Sequence, residues 1–461
     1  MKLLDKIVEI IYLPTLRCNC RCSHCGIRFD NIETEEMSCK MVANFLCASK
    51  NIVQDVVIQI TGGEPFLKED LNDFIISIIN QFPSCKVSIT TNGTFPHRIE
   101  NLIKKIPKHY AGNIFYSISI DGLEYTHDKI RKFNGAFNLA LQSANLISKH
   151  GLGLAINTVI HRENLEELSL FKHKIKELCD ADIKINFIPI CSDVALSQEF
   201  PYSDKEIETI FHYINDTPFY IKYIVSNGHI QAKDNCHAGE RNVVILPQGH
   251  LYTCTFASSY SRMDANQYLI GSLGDNDFDE IWEGRGESSA LQMAKGCTRC
   301  NNPCDINREK LYFGFSFELI EEEIKQYFKY SKSEAYWGDS WHSLEENGKS
   351  SHRWMANREA TVYLANRQIH FSLIKISYLN SLPETYYGEP MLLDLFVNDI
   401  VYISQYIVKE SETLTISLHN VKDVDFITIK FLVNHVWKPS EVLGSNDNRT
   451  LGIAVSKIEI C

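Results

Sequence analysis

From residue 7 to about residue 190, a short β-branched run followed by a longer amphipathic stretch recurs about six times. The runs are IVEIIYLP, VVIQITGG, KVSITTNG, IFYSISIDG, GLAINTVIH and IKINFIPI. Between them lie helical patterns such as MVANFLCASKNI, LNDFIISIINQF and FNLALQSANLISKHG. A strand returning parallel to its predecessor needs a crossover, and that crossover is right-handed, so few topologies accept this rhythm. The pattern predicts an α/β fold on a parallel sheet, with chemistry at the carboxyl ends of the strands. The run ends carry suitable residues: Thr15 to Cys25, Gly62 to Pro65, Thr91 to Gly93, Asp121 with Gly122, Asn157, and Cys191.

Two further regions follow. Residues 230 to 310 are rich in Cys, Gly and Asn and contain a hairpin signal, VVILPQGHLYTC, with Gln248 and Gly249 at the turn. After the charged stretch FSFELIEEEIKQYFKY, runs such as ATVYLAN, MLLDLFVND, TLTISLHNV and DFITIKFLV succeed one another without helices. That spacing indicates an antiparallel β-sandwich. The 461 residues are about three times the length expected of one domain. The expected division is 1–225, 226–312, a helical linker at 313–334, and a sandwich at 335–461.

Composition removes several classes of function. A net charge of −12 without a Lys/Arg cluster argues against nucleic acid as partner. The N-terminus carries Asp5, Lys6 and Glu9 and no small-residue cleavage site, so it is not a signal peptide. With no run of about 18 apolar residues, a membrane span is not expected, and the expected compartment is the cytoplasm. Fifteen cysteines in a long chain without a secretion signal point to metal rather than to disulfides.

Four of those cysteines fall within TLRCNCRCSHCGI. Cys18, Cys22 and Cys25, spaced C-x3-C-x2-C, would let three thiolates wrap one corner of a cubane and leave the fourth iron open to a small chelator. Zinc is the other reading, with Cys20 and His24 completing a site. The position directly after a strand run, at the start of a βα repeat, favours the cluster. GGEP, residues 62–65, follows the second strand; its glycines allow close backbone approach to a ligand, and Glu64 offers a carboxylate to an ammonium group.

Motif, order and fold rhythm together resemble the radical SAM superfamily over about residues 10–195. The resemblance implies a partial (β/α)6 TIM barrel in which Cys18, Cys22 and Cys25 ligate a [4Fe–4S] cluster. S-adenosylmethionine would chelate the open iron, with Gly62, Gly63 and Glu64 at its amino group. It further implies His24 against the adenine, Ser119 and Arg131 at the ribose and carboxylate, Asp121 in the same role, and Cys20 as a bystander. Asn92 and Asn157 are further lining residues or helix caps. A reductant such as flavodoxin or ferredoxin would supply the electron.

The second group, Cys236, Cys254, Cys297 and Cys300, reads C-x12-G-x4-C and then CTRC. Locally it fits zinc or iron–sulfur equally well. Beside a radical SAM core it resembles the SPASM and twitch extensions. Because the run ends C-x2-C-x3-C, the expectation is the shorter twitch form with one auxiliary [4Fe–4S] cluster, Cys304 being an alternative ligand. Cys191, at the end of the sixth strand, would be a hydrogen-donor thiol if the reaction were an epimerisation, or else a packing cysteine.

The segments 338–355 and 436–460 resemble a β-sandwich module attached to bacterial glycosyltransferases. That resemblance implies a small-molecule or glycan substrate, with Trp341, Trp354 and Trp437 either stacking on sugar or packing the core. Arg353 with Glu345, and Asp447 with Arg449, would be ion pairs. The expected activity is therefore dehydrogenation or epimerisation of a sugar in cell-surface polysaccharide biosynthesis. The alternatives are a peptide-modifying maturase, disfavoured because no winged-helix leader-binding domain precedes Leu13, and a non-catalytic zinc-stabilised carbohydrate-binding protein.

Overall fold

The structure, a computed structural model, describes residues 6–27, 35–179, 183–190, 202–214, 224, 238–254, 268–285, 289–291, 321–331, 334–338, 340–341, 345–346, 351–366, 373–379, 390–409, 411–418, 424–442 and 449–460. They fall into two compact units, one within Met1–Ile214 and Ser226–Phe315, the other within Asn215–Val225 and Ser316–Cys461.

In the first unit the six runs become parallel strands β1 (Ile7–Tyr12), β2 (Ile52–Ile60), β3 (Lys86–Thr91), β4 (Ile114–Ser119), β5 (Gly153–Ile160) and β6 (Lys184–Pro189). The helices between them are α1 (Cys39–Ala48), α2 (Leu71–Gln81), α3 (Pro96–Lys105), α4 (Glu124–Arg131), α5 (Ala136–Lys149) and α6 (Leu168–Leu178). The strands lie in the order β6-β5-β4-β3-β2-β1. With no reversal in that order, right-handed crossovers put every helix on one face, and the other face becomes the lumen of a partial barrel. α2 shows why the helices stay there: it buries Leu71, Phe74, Ile75, Ile78 and Ile79, one apolar stripe at helical spacing.

The sheet continues past β1. β7 (Asn242–Ile245) pairs parallel with β1, and β8 (His250–Tyr252) and β9 (Leu269–Ser272) follow antiparallel. The hairpin read at Gln248–Gly249 is present, with Gly249 at φ +83°. β7, β8 and β9 therefore extend the barrel sheet rather than building a sheet of their own. Helix α7 (Asp204–Phe211) carries a capping box from Ser203 and Glu206. α8 (Phe278–Gly284) is tied to the turn before β2, where Asp279 accepts from Lys50 N at 3.1 Å and from Asn51 Nδ2 at 3.0 Å. Among the described residues no helix is long and apolar enough to cross a membrane.

The second unit contains two five-stranded antiparallel sheets. One is ordered β10-β13-β18-β15-β16, from β10 (Ala335–Trp337), β13 (Glu359–Ala365), β15 (Leu392–Val397), β16 (Ile400–Ile407) and β18 (Phe426–Val433). The other is β11-β12-β19-β14-β17, from β11 (Glu345–Glu346), β12 (Ser351–Trp354), β14 (Leu373–Leu379), β17 (Ser411–Ser417) and β19 (Ala454–Ile460). Alternate residues of both sheets meet in one core, including Val362, Ile376, Leu395, Ile416, Ile429 and Val455. The tryptophans offered for sugar stacking are buried in it: Trp341 is 7%, Trp354 8% and Trp437 3% exposed. Of the two readings of these tryptophans, core packing is the one the structure shows. Glu345 pairs with Arg449, and Arg353 lies over the Trp337 ring. Asp447 lies outside the described residues.

Phe431 sits at the centre of this core, fully buried on the central strand β18 and edge-on to Trp341 at 5.5 Å. Phe431→Ala is expected to destabilise the second unit by about 3–5 kcal/mol, measured by denaturant unfolding of the full chain. A loss well under 1 kcal/mol would contradict this placement.

Candidate active site at the strand ends

After β1 the chain enters the cysteine loop, which is held from two sides. On one side, Gly63 N donates to Thr15 O and Glu64 N to Arg17 O, both at 2.9 Å. On the other, Arg21 N donates to Arg131 O at 3.0 Å and Ser23 N to Ile130 O at 2.9 Å. The carbonyls at the end of α4, which lack helical partners, thus bracket Cys22. The two glycines are required by the first contact. A Cβ on Gly63 would stand 2.1 Å from Arg17 O, and one on Gly62, at φ +109°, 2.6 Å from Thr15 O. Their close approach is to the cysteine loop itself, where the sequence suggested a ligand.

Above the strand ends lies a cavity of about 1500 Å³. Cys18, Cys20, Cys22, Cys25, Gly62, Gly63 and Ser119 all line it. Such a volume exceeds the usual range of a single-ligand pocket, about 300–1,000 Å³. The sulfurs meet polar hydrogens: Cys20 N donates to Cys18 Sγ at 3.4 Å, and Asn92 Nδ2 reaches Cys20 Sγ at 3.4 Å and Cys18 Sγ at 3.8 Å. Four thiols lining a roomy cavity, with N–H donors at sulfur, fit an iron–sulfur cluster with space for a cofactor beside it.

Cys20 is not remote from these groups. Its thiol hydrogen-bonds Cys18 and Cys22 and is itself pushed up by those bonds and by burial. Its bond lowers both neighbours, and with the charge of Arg131 it holds Cys22 at about 6 against burial.

Glu64 is fully buried, and its carboxylate accepts from Phe66 N at 3.0 Å, Thr91 Oγ1 at 2.8 Å and Asn92 N at 2.8 Å. Burial outweighs these donors and pushes the carboxyl up to about 7. Three of about four lone-pair positions are filled by protein donors, and Glu64, like Asp121, does not line the cavity.

Arg131 lines the cavity, but Asp121 does not. Asp121 is completely buried; its Oδ2 pairs with Arg131 Nη2 at 2.7 Å, and its Oδ1 accepts from Val159 N at 2.9 Å. The expected contact of Asp121 with the ribose is corrected accordingly, since both oxygens face protein. Against full burial, the Arg131 charge holds this carboxyl below its usual range. His24 lines the cavity with Nδ1 2.9 Å from His161 Nε2.

Several contributors were not read from sequence. His161, at the end of β5, orients His24; Asn92 was read only as a lining residue or cap. Glu36 gathers Thr15, Arg17 at 2.9 Å and Lys68 at 3.4 Å on the opposite wall. A polar residue at a strand end was the available signal for the first two. Cys254 follows β8 and is half-buried. Cys191, Cys236, Cys297, Cys300 and Cys304 lie outside the described residues.

His127, on α4, accepts from Asp121 N at 3.0 Å and is pushed down to about 4 by burial and by the Arg131 charge. Between pH 6.5 and about 4 the unfolded chain binds this proton and the folded chain does not. The stability it contributes is therefore complete above pH 6.5 and lost as pH falls through about 4, on the order of 3 kcal/mol. Thermal midpoints of wild type should fall more steeply over that window than those of His127→Gln; equal slopes would contradict the assignment.

Comparison with known proteins agrees with this geometry. Residues 12–174 match the model of the Radical SAM superfamily, and residues 236–305 match that of SPASM, an iron–sulfur cluster-binding domain. The chain is 24% identical over 278 residues to the antilisterial bacteriocin subtilosin biosynthesis protein AlbA of Bacillus subtilis (strain 168), covering 58% of each. It is 28% identical over 187 residues to the Fe-coproporphyrin III synthase of Methanosarcina barkeri, covering 38% of this chain and 44% of that one. It is 22% identical over 317 residues to the mycofactocin maturase MftC of Mycobacterium tuberculosis (strain CDC 1551 / Oshkosh), covering 65% and 77%. The chain thus spans about half the length of the first two relatives.

Proposed function

From a chain that carries a radical SAM domain and a SPASM domain, and so uses S-adenosylmethionine, a [4Fe–4S] cluster and auxiliary iron–sulfur ligation, we propose a peptide-modifying enzyme. The observation that carries this reading is that two relatives of different origin, a bacteriocin biosynthesis protein and a maturase, match over 58% and 65% of this chain. An AdoMet-dependent heme synthase of Methanosarcina barkeri matches over 62%, so the extent of likeness alone does not decide, and a tetrapyrrole belongs among the substrates compared. The sugar epimerase or dehydrogenase expected from the resemblance of the sandwich has no such support, and Trp341, Trp354 and Trp437 are buried.

In this reading Cys18, Cys22 and Cys25 hold the cluster, and the backbone of Gly62 and Gly63 orients the amino group of the cofactor, while Glu64 fixes the Asn92 backbone from behind. When bound, the pair supplies a 5′-deoxyadenosyl radical that takes a hydrogen atom from substrate. Ser119 and Arg131 offer a hydroxyl and a cation on one cavity wall, and His24, steadied by His161, closes the loop side. Cys236, Cys254, Cys297 and Cys300 hold the auxiliary cluster, and a flavodoxin or ferredoxin supplies electrons.

The test is coupling. With dithionite and S-adenosylmethionine present, a pool of ribosomal precursor peptides should raise the rate of 5′-deoxyadenosine formation above the substrate-free rate. A panel of nucleotide sugars and a tetrapyrrole should not. Stimulation by a nucleotide sugar or the tetrapyrrole and by none of the peptides would overturn the reading.

A further inference from the structure

We propose that Asp121 is a positioning residue for the N-terminal cluster: it holds the Arg131 guanidinium against Cys22 Sγ, and that contact raises the cluster's reduction potential. The inference rests on Cys22 being a cluster ligand.

Arg131 grips the cysteine loop twice. Its carbonyl accepts from Arg21 N at 3.0 Å, and its Nη1 donates to Cys22 Sγ at 3.6 Å. The guanidinium would have other partners available on a cavity wall, so something must aim it. Asp121 does so from behind, 2.7 Å from Nη2. The aspartate in turn has little freedom. Its Oδ1 is fixed by Val159 N, its backbone N by His127 Nδ1, and its carbonyl by Asn164 Nδ2 at 2.7 Å. The pair is dry, with the Arg131 side chain 8% exposed and that of Asp121 fully buried.

Hydrogen bonds to sulfur and local charge are the levers by which a protein sets such a potential. One electron from dithionite takes the cluster from its 2+ to its 1+ state, adding negative charge beside the thiolates. A cation donating to Cys22 Sγ stabilises the reduced state, and burial strengthens the effect. Asp121 carries the opposite charge, so positioning and simple electrostatics predict opposite signs on its removal.

The experiment is a reductive titration followed by electron paramagnetic resonance, reading the signal that Cys22→Ala loses. If Asp121 acts by positioning, Asp121→Asn frees Arg131 from sulfur, and the reduced-to-oxidised ratio at a fixed poise falls about tenfold, or about 59 mV for one electron. If only its charge matters, the ratio rises, which overturns the proposal. The double variant Asp121→Asn/Arg131→Gln leaves no lone buried charge and conserves net charge, so it serves even where the single variant folds poorly. It should show the same fall; an unchanged ratio overturns the proposal. A signal that survives Cys22→Ala overturns the ligand assignment, and the inference with it.

Discussion

Cys22→Ala should remove about four irons per chain and abolish dithionite-dependent formation of 5′-deoxyadenosine, while Cys20→Ala keeps both. Four thiols line the cavity, and three ligands are the fewest that hold a cubane with one iron left open, so losing a ligand removes the site rather than weakening it. Cys20 lines the same cavity and shares the hydrogen-bond network, and the distinction is one of spacing: Cys18, Cys22 and Cys25 keep the C-x3-C-x2-C pattern, and Cys20 falls between those positions. Iron and sulfide analysis after anaerobic reconstitution reads the result. Loss of the same iron in Cys20→Ala would make Cys20 a ligand and move the open iron elsewhere.

Gly63→Ala should be nearly as damaging, though it removes no functional group. The added carbon would stand 2.1 Å from Arg17 O and 2.7 Å from Leu16 C, all main chain, so relief requires the cysteine loop to move. Overpacking of this kind costs about 1–3 kcal/mol. Because Arg17 precedes Cys18 directly, the displacement reaches the first thiol. Binding of S-adenosylmethionine, measured by equilibrium dialysis, should weaken by about tenfold or more, the equivalent of about 1.4 kcal/mol. Unchanged binding with an unchanged thermal midpoint would show that the loop has slack the structure does not suggest.

The six parallel strands were legible because each is a buried, β-branched run bounded by turn residues, and the cysteine spacing was legible because it is local. What escaped the sequence is long-range. The pairing of β7 with β1 joins residues more than 230 positions apart, and nothing in NVVI marks its partner. The reason for Gly62 and Gly63 lies in carbonyls of Thr15 and Arg17, not in the turn itself. Asp121 ends a strand as a cofactor contact would, but its neighbours Val159 and Arg131 turn it inward. His161 shows no pattern until β5 sets it beside His24. In the second unit, the tryptophans carry no sign of burial in a one-dimensional motif, and only the meeting of two sheets decides it.

The central claim is that this chain takes hydrogen from a peptide. It is tested most directly by supplying precursor peptides deuterated at carbon and weighing the 5′-deoxyadenosine formed. The account predicts deuterium in that product from a peptide and none from deuterated nucleotide sugars. Label arriving from a nucleotide sugar, with none from any peptide, would contradict it.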